Sequence, residues 1–282
     1  MEARCQQNKL TQNKVNRYQV QHPRLRKYIK FFWELRIEHI RLNHKLIPQK
    51  NINMRINLSC THHYVDKENT NKKLDNIYFL GLQNKCTEAH LNVNGEVHII
   101  GISFMPYGFF PFLNVPASEF KNQILGADEI GFNIPKEIRE RMKESPDITS
   151  RLTILENELL TILNKAHPNL DKFQLIFNAL MNENPLQINN FCQRNNINIR
   201  QLERYFSKYI GLSPNTYATL YRFHRTLNQL LRTTDIKLSD LAYDNTYFDQ
   251  MHFIKDFKRY TGSTPKDFIN KKNSILQIGK LT

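Results

Sequence analysis

Two groups of side chains in this sequence have the types and placement that chemistry requires. The first is Cys60, His62, His63, Cys86, His90 and His98, soft ligands of the kinds that hold zinc. Zinc sites keep their ligands at short, fixed spacings. These six follow no such pattern, so they read as packing or surface residues and no metal is expected. There is also no G-x-S-x-G elbow, no Gly-rich phosphate loop and no dinucleotide fingerprint, so the sequence predicts no catalytic residue and no cofactor. The second group is a set of basic and amide side chains carried on two segments that repeat each other, and its chemistry is attachment to an anionic partner.

The repeat sets QLERYFSKYIGLSPNTY (201–217) over HFIKDFKRYTGSTPKDF (252–268), an offset of 51 residues. Phe206 falls on Phe257, Tyr209 on Tyr260, Gly211 on Gly262 and Pro214 on Pro265. Leu202/Phe253, Arg204/Lys255, Lys208/Arg259, Ser213/Thr264 and Tyr217/Phe268 agree in kind. Each copy has the same plan. A helix ends at a Gly able to take the left-handed conformation. A Ser or Thr then caps the next helix, and Pro occupies its first position. Upstream stand the short amphipathic stretches 188–192 and 238–242, each followed by a polar turn, 194–198 and 244–246. Leu202, Phe206 and Tyr209 recur at spacings of three and four, a core face. Arg200, Gln201, Glu203, Arg204, Ser207 and Lys208 are left outward or on the flank. A short helix, a turn and a second helix with a basic outer face is the helix-turn-helix plan, whose second helix enters a DNA major groove. The stretch 214–231, with apolar Tyr217, Leu220, Tyr221, Leu227, Leu230 and Leu231, predicts one connecting helix. Two reading heads on such a spacer address groove faces about 34 Å apart.

The elements that must position these residues follow from the rest of the chain. Its 282 residues are 40% hydrophobic and carry a formal charge of +14, from 40 Lys+Arg against 26 Asp+Glu. That charge favours an anionic partner. It is +9 over residues 1–50, −2 over 51–170 and +7 over 171–282. From Tyr28 to about Val115, strand-length apolar runs at 27–37, 52–60, 76–82 and 95–108 predict a β-rich domain. Asn94-Gly95 reads there as a hairpin turn. Beyond Ala117 the period turns helical. Leu152, Leu155, Leu159, Ile162 and Leu163 form one stripe, with Thr149 and Ser150 as caps and a homodimer helix as one reading. The expected fold class is α+β: a β-rich N-terminal domain, then an all-α domain with two helix-turn-helix modules joined by a linker helix. The expected organisation is a basic tail over 1–22, a regulatory or dimerising domain over 23–165, a linker over 166–172, the double module over 173–270 and a tail over 271–282. The four cysteines, Cys5, Cys60, Cys86 and Cys192, show no C-x-x-C pairing, which fits a reduced compartment. The N-terminus lacks the apolar region of a signal peptide, and there is no apolar run of about 18 residues. A cytoplasmic, nucleoid-associated protein with no membrane partner is expected.

Over roughly 173–270 the sequence resembles the AraC/XylS family of bacterial transcription regulators. Arg200-x-Leu202-x-Arg204-x-Phe206 and Gly211-Leu212-Ser213-Pro214 are similar to the family's first recognition helix and its exit. Leu241-Ala242, Tyr247-x-Asp249-Gln250-x-His252-Phe253-x-x-x-Phe257-Lys258 and Gly262-x-Thr264-Pro265 are similar to its second signature. Thr246 stands where the family has a turn Gly, Tyr247 where it has Phe, and Thr226 where Ala is common. The resemblance implies base contacts by Arg200, Gln201, Glu203 and Arg204 in the first module and by Gln250, Met251 and Lys255 in the second. Arginine offers paired donors to guanine, glutamate accepts from cytosine N4, glutamine pairs with adenine, and methionine can touch a thymine methyl. Lys208, Arg222, Lys258 and Arg259 are assigned to phosphates. Pro23-x4-Tyr28-Ile29, Phe32-Trp33, Pro48, Gly81 and Gly101-Ile102-x-Phe104-x-Pro106-x-Gly108 resemble an uncharacterised domain found before many such modules. It implies a sensing or dimerising role with no assigned ligand. Trp33, Phe31, Phe104, Tyr107, Phe109 and Phe110 read there as core or as pocket lining. The partners implied are double-stranded DNA, RNA polymerase, a small-molecule effector and a second copy of the chain. The expected function is sequence-specific transcription regulation, with activation as the expected sign. The competing readings are a metal- or ligand-dependent sensor or enzyme on a DNA-binding tail, and an architectural DNA binder.

Overall fold

The computed structural model describes residues 15–67, 70–87, 89–132, 134–165, 170–232 and 237–270. The expected tail over 271–282, residues 1–14 of the N-terminal tail and residues 166–169 of the linker lie outside them. The N-terminal part is an eight-stranded sheet of β1 (Asn16–Tyr18), β2 (Ile29–Lys45), β3 (Asn53–Asn57), β4 (Tyr64–Lys67), β5 (Thr70–Lys73), β6 (Ile77–Leu80), β7 (His90–Phe104) and β8 (Ile124–Gly126), with helix α1 (Pro23–Arg26) before β2. Its order is β1-β2-β7-β3-β6-β8, with β4 on β7 and β5 on β4, every pair antiparallel. The long β2–β7 pair is the spine, bent where its register shifts between Ile29 and Phe31 and between Ile37 and Ile40.

Alternation sorts this sheet into two buried faces. Met54, Ile56, Phe79, Ile100, Ile102 and Phe104 enter the larger core with the helices. Phe31, Trp33, Leu35, Tyr78, Leu80 and Ile99 face the other way, into a smaller core closed by Val65 and Leu74. The aromatic set of the sequence reading is therefore divided: Phe104, Tyr107, Phe109 and Phe110 pack under the helices, and Phe31 and Trp33 lie on the opposite face. Asn94-Gly95 is no hairpin turn. Both residues sit inside β7 paired with Arg41 and Ile40, where Gly95 at φ 135° accommodates the bulge. Of residues 15–22, Asn16–Tyr18 form β1 on β2, and Glu156 accepts the backbone N–H groups of Gln21 and His22 at 2.7 and 3.2 Å.

Then come α2 (Phe110–Leu113), α3 (Lys136–Glu144) and α4 (Ile148–Lys165). The apolar stripe of α4 is used largely within the chain: Leu155, Leu159 and Leu163 are buried in the larger core, and Leu152 and Ile162 are partly buried against it. Its first turn is held by Asp147, whose carboxylate accepts from the Ser150 backbone N–H at 2.9 Å, rather than by Thr149 or Ser150. The remainder is helical: α5 (Asp171–Asn182), α6 (Ile188–Arg194), α7 (Ile199–Tyr209), α8 (Pro214–Arg232), α9 (Leu238–Asp244), α10 (Gln250–Thr261) and α11 (Pro265–Asn270). The fold is thus β-rich then all-α, and one continuous core joins the two parts. Tyr107 meets Phe177 edge-on at 5.4 Å, and Phe110 meets Tyr209 at 5.0 Å.

Candidate nucleic-acid interface

Helices α6 and α7 form one helix-turn-helix module and α9 and α10 the second, with α8 as the connecting helix. Local chemistry sets each boundary. The Asn198 side chain accepts from the Arg200 N–H at 2.9 Å and opens α7; Asp249 accepts from the His252 N–H at 2.6 Å and opens α10. Both reading helices end at left-handed glycines, Gly211 at φ 88° and Gly262 at φ 76°. Ser213 and Thr264 accept from the N–H groups of Thr216 and Asp267, and Pro214 and Pro265 begin α8 and α11. One repeated device escaped the sequence comparison. Asn195 and Asn245 close α6 and α9 and donate back to the Phe191 and Leu241 carbonyls, each at 2.9 Å.

Burial separates the two faces of each reading helix. Leu202, Phe206 and Tyr209 of α7 pack with Phe173, Phe177, Phe191 and Tyr217, while Phe253, Phe257 and Tyr260 of α10 pack with Phe223, Leu241 and Phe268. The opposite faces expose Arg200, Glu203, Arg204 and Lys208 on α7, and Gln250, Met251, Lys255, Lys258 and Arg259 on α10. Gln201 is half-buried and donates to the Tyr205 hydroxyl at 3.0 Å. Among the described residues no ion pair holds Glu203, so its carboxylate is not committed to a neighbouring arginine.

Arg222 is the exception. Its guanidinium is buried, bonds Asp256 at 2.6 Å and lies 3.9 Å from the centre of the Tyr247 ring. It ties α8 to α10 and is not available to a phosphate. Arg222 stands on the inward face of α8 beside Phe223 and Thr226, so its charge is compensated from within the fold. Its neighbour Arg225 stays exposed and clamps the second turn, donating to Asn245 Oδ1 at 2.8 Å and the Asp244 carbonyl at 2.9 Å.

The C-terminal ends of both reading helices rest on the sheet part. The Arg259 carbonyl accepts from the Cys86 N–H at 2.7 Å. Lys208 lies over the Phe110 ring at 5.0 Å, and a Cβ on Gly211 would come within 2.4 Å of the Ala117 carbonyl oxygen. The His224 ring of α8 donates through Nε2 to the Pro48 carbonyl at 2.9 Å. Burial, with Lys50 and Lys30 nearby, lowers its pKa to about 3, so the ring is neutral. Among the described residues no cluster of His, Cys, Asp or Glu could hold a metal ion, and no helix is long and apolar enough to cross a membrane.

Residues 191–271 match a helix-turn-helix domain family, and residues 20–126 a domain of unknown function, DUF6597. The chain is similar to the HTH-type transcriptional regulator GbdR of Pseudomonas aeruginosa, 30% identical over 106 residues, 38% of this chain and 28% of the relative. It is also similar to the HTH-type transcriptional regulator ArgR of the same species, 27% identical over 39% of this chain and 33% of the relative. The similarity to the HTH-type transcriptional activator RhaS of Escherichia coli is 26% over 49% of this chain and 53% of the relative. The chain therefore spans 28–53% of the length of these relatives. Among solved structures, ToxT of Vibrio cholerae aligns over 91% of this chain and 97% of its own, at 11% identity and a TM-score of 0.49. The chain thus carries a helix-turn-helix domain over residues 191–271 behind a DUF6597 domain over residues 20–126, and is similar in part to HTH-type transcriptional regulators.

Proposed function

We propose that this chain is a sequence-specific, double-stranded DNA-binding transcription regulator that presents α7 and α10 to two successive major-groove segments. The observation that carries the proposal is that the two repeated helices bury equivalent aromatic faces and expose equivalent basic and amide faces. Arg200, Gln201, Glu203 and Arg204 read bases in the first segment; Gln250, Met251 and Lys255 read them in the second. Lys208, Lys258 and Arg259 hold phosphates. The 19 residues of α8 rise about 28 Å, a spacer commensurate with groove faces about 34 Å apart. Residues 23–165 act as the regulatory domain and 173–270 as the reading domain. Regulation is a population shift: because the sheet part touches the C-terminal ends of both reading helices, a signal there changes how the heads are held. The protein works in the cytoplasm, carries no enzymatic activity and activates transcription by contact with RNA polymerase; a relative named a transcriptional activator supports the sign of regulation.

Selecting bound fragments from the source genome tests the proposal. Sites with two sequence blocks one helical turn apart are expected, and a featureless pool would refute it. Arg204→Ala is expected to cost about 1–3 kcal/mol in binding and to relax preference at one base position. An equal loss on every sequence would remove Arg204 from base reading.

A further inference from the structure

The turn of the second module ends in a large apolar side chain that the fold leaves in water. Phe248 is 92% exposed, more than any other large hydrophobic residue among those described. Local geometry holds the ring there. Asp249 caps α10 by accepting from the His252 N–H, so Phe248 occupies the position just before the cap. A hydrophobic residue at that position ordinarily folds back onto the fourth residue of its helix. In the first module Ile197 stands just before the Asn198 cap, and it packs against the core that contains Leu202. In the second module the fourth residue, Phe253, is fully buried and meets Tyr247 instead, with ring centres 5.3 Å apart. Tyr247 is itself fixed, with the Arg222 guanidinium 3.9 Å from its ring centre. One ring fills the seat against the helix, and the next is turned outward.

The place of this ring says what covers it. The N-terminal end of a reading helix is the part that meets base edges in the major groove. Phe248 stands at that end of α10 together with Gln250 and Met251, all three exposed. Lys255, Lys258 and Arg259 continue the exposed face of the same helix, and their charge favours a polyanion over an apolar protein surface. A phenyl ring carries no hydrogen-bonding atom, so it can neither hold a phosphate nor read a donor or acceptor. The one apolar group that the base edges present in the major groove is the C5-methyl of thymine, and phenylalanine is among the residues that contact it.

We propose that Phe248 is a specificity-determining residue whose ring lies on the C5-methyl group of a thymine in the second major-groove segment. The inference rests on the DNA-binding role of α10 and adds an apolar reader to its polar ones. It also makes the two heads unlike: the first presents Arg200 where its Ile197 is held by the core, and the second presents a free ring.

The full chain is titrated with duplexes carrying a site recovered by the genomic selection. Each thymine of the second block is replaced in turn by deoxyuridine, which removes only the C5-methyl group. At one thymine the replacement is expected to weaken wild-type binding about fourfold, the contribution of one buried methyl group. Phe248→Ala is expected to weaken binding to the unmodified site about tenfold and to abolish the distinction between thymine and deoxyuridine at that position. Its thermal unfolding is expected to match the wild type, because the ring makes so little contact with its own chain. Phe248→Leu is expected to restore part of the distinction, and Met251→Ala to leave it in place. Discrimination retained by Phe248→Ala would overturn the methyl contact, and unchanged affinity would take the ring off DNA and give it to another partner. A preferred site whose second block holds no thymine, or is indifferent to deoxyuridine, would overturn the role of Phe248 alone. A wild-type chain with no preferred site would overturn the DNA reading itself, and this role with it.

Discussion

Arg204 and Arg222 are chemically identical and stand 18 positions apart, yet the fold gives them opposite work. Arg204 projects from α7 into solvent, whereas Arg222 is buried against Asp256 and Tyr247. Removing one partner of a buried pair leaves the other charge uncompensated, so Arg222→Ala is expected to lower stability by about 3–5 kcal/mol. Denaturant unfolding measures this, and a loss below 1 kcal/mol would mean that water reaches Asp256 freely. Lys258 is the exposed counterpart. Lys258→Ala is expected to leave stability unchanged, weaken binding to every DNA sequence alike and reduce the salt slope by about one. Titrating affinity against salt separates it from a base reader. The exposed members of the candidate site were legible because α7 and α10 have clear apolar stripes, and whatever lies off the stripe faces water. Arg222 was not legible, because a carboxylate 34 positions away decides its burial.

The two modules repeat each other except at the turn. Leu238 opens α9 50 positions after Ile188 opens α6, while Gln250 opens α10 51 positions after Ile199 opens α7. The second turn is therefore one residue longer, and the additional side chain, Phe248, is 92% exposed. The left-handed position is filled by Asn196 at φ 50° in the first turn and by Thr246 at φ 57° in the second. Asn tolerates this region; a β-branched residue is strained there. Thr246→Gly is expected to stabilise the protein by about 0.5–1 kcal/mol, the relief of strain being partly offset by the freedom of an unfolded Gly. Thermal unfolding reads the sign, and destabilisation would mean that the Thr246 hydroxyl bond to the Asn245 carbonyl outweighs the strain. Gly211→Ala meets both a left-handed φ and the Ala117 carbonyl oxygen, and is expected to cost more than about 1 kcal/mol. The Gly and Ser/Thr-Pro punctuation of these helices could be read directly, since it acts over a few residues. Asn94-Gly95 misled because the same positive φ serves a turn or a bulge, and only the partner strand chooses.

One core runs from the sheet through both modules, so the chain is expected to unfold with a shared response to acid. His63 and His224 are each 1% exposed, with pKa values lowered to about 4 and about 3, first by burial. Protons thus bind the unfolded chain more tightly. Stability from these residues is complete above the ordinary histidine pKa of about 6.5 and falls as the pH drops towards 4 and 3, by about 1.4 kcal/mol per pH unit for each histidine. Facing His224 are Lys50, Lys30 and the Pro48 carbonyl, so protonation adds a third cation to a site with no carboxylate among its named neighbours. Denaturation curves between pH 7 and pH 4 measure the slope. His224→Leu is expected to make it shallower, and an unchanged slope would show that His224 is protonated in the folded chain.

By itself the sequence determined what acts at short range. It marked the strand runs, the helical stripes, the caps, the left-handed glycines and the repeated pair of modules, and with them the class of partner. Tertiary structure alone decided which charges are compensated inside the fold, which face of the sheet buries Arg55 against Trp33 and Tyr78, and that α4 packs on its own chain. It also decided that the sheet rests on the ends of both reading helices. The physical reason is that capping and periodicity depend on neighbours a few positions away, whereas burial and charge compensation depend on groups brought together from distant strands and helices, which no local pattern encodes.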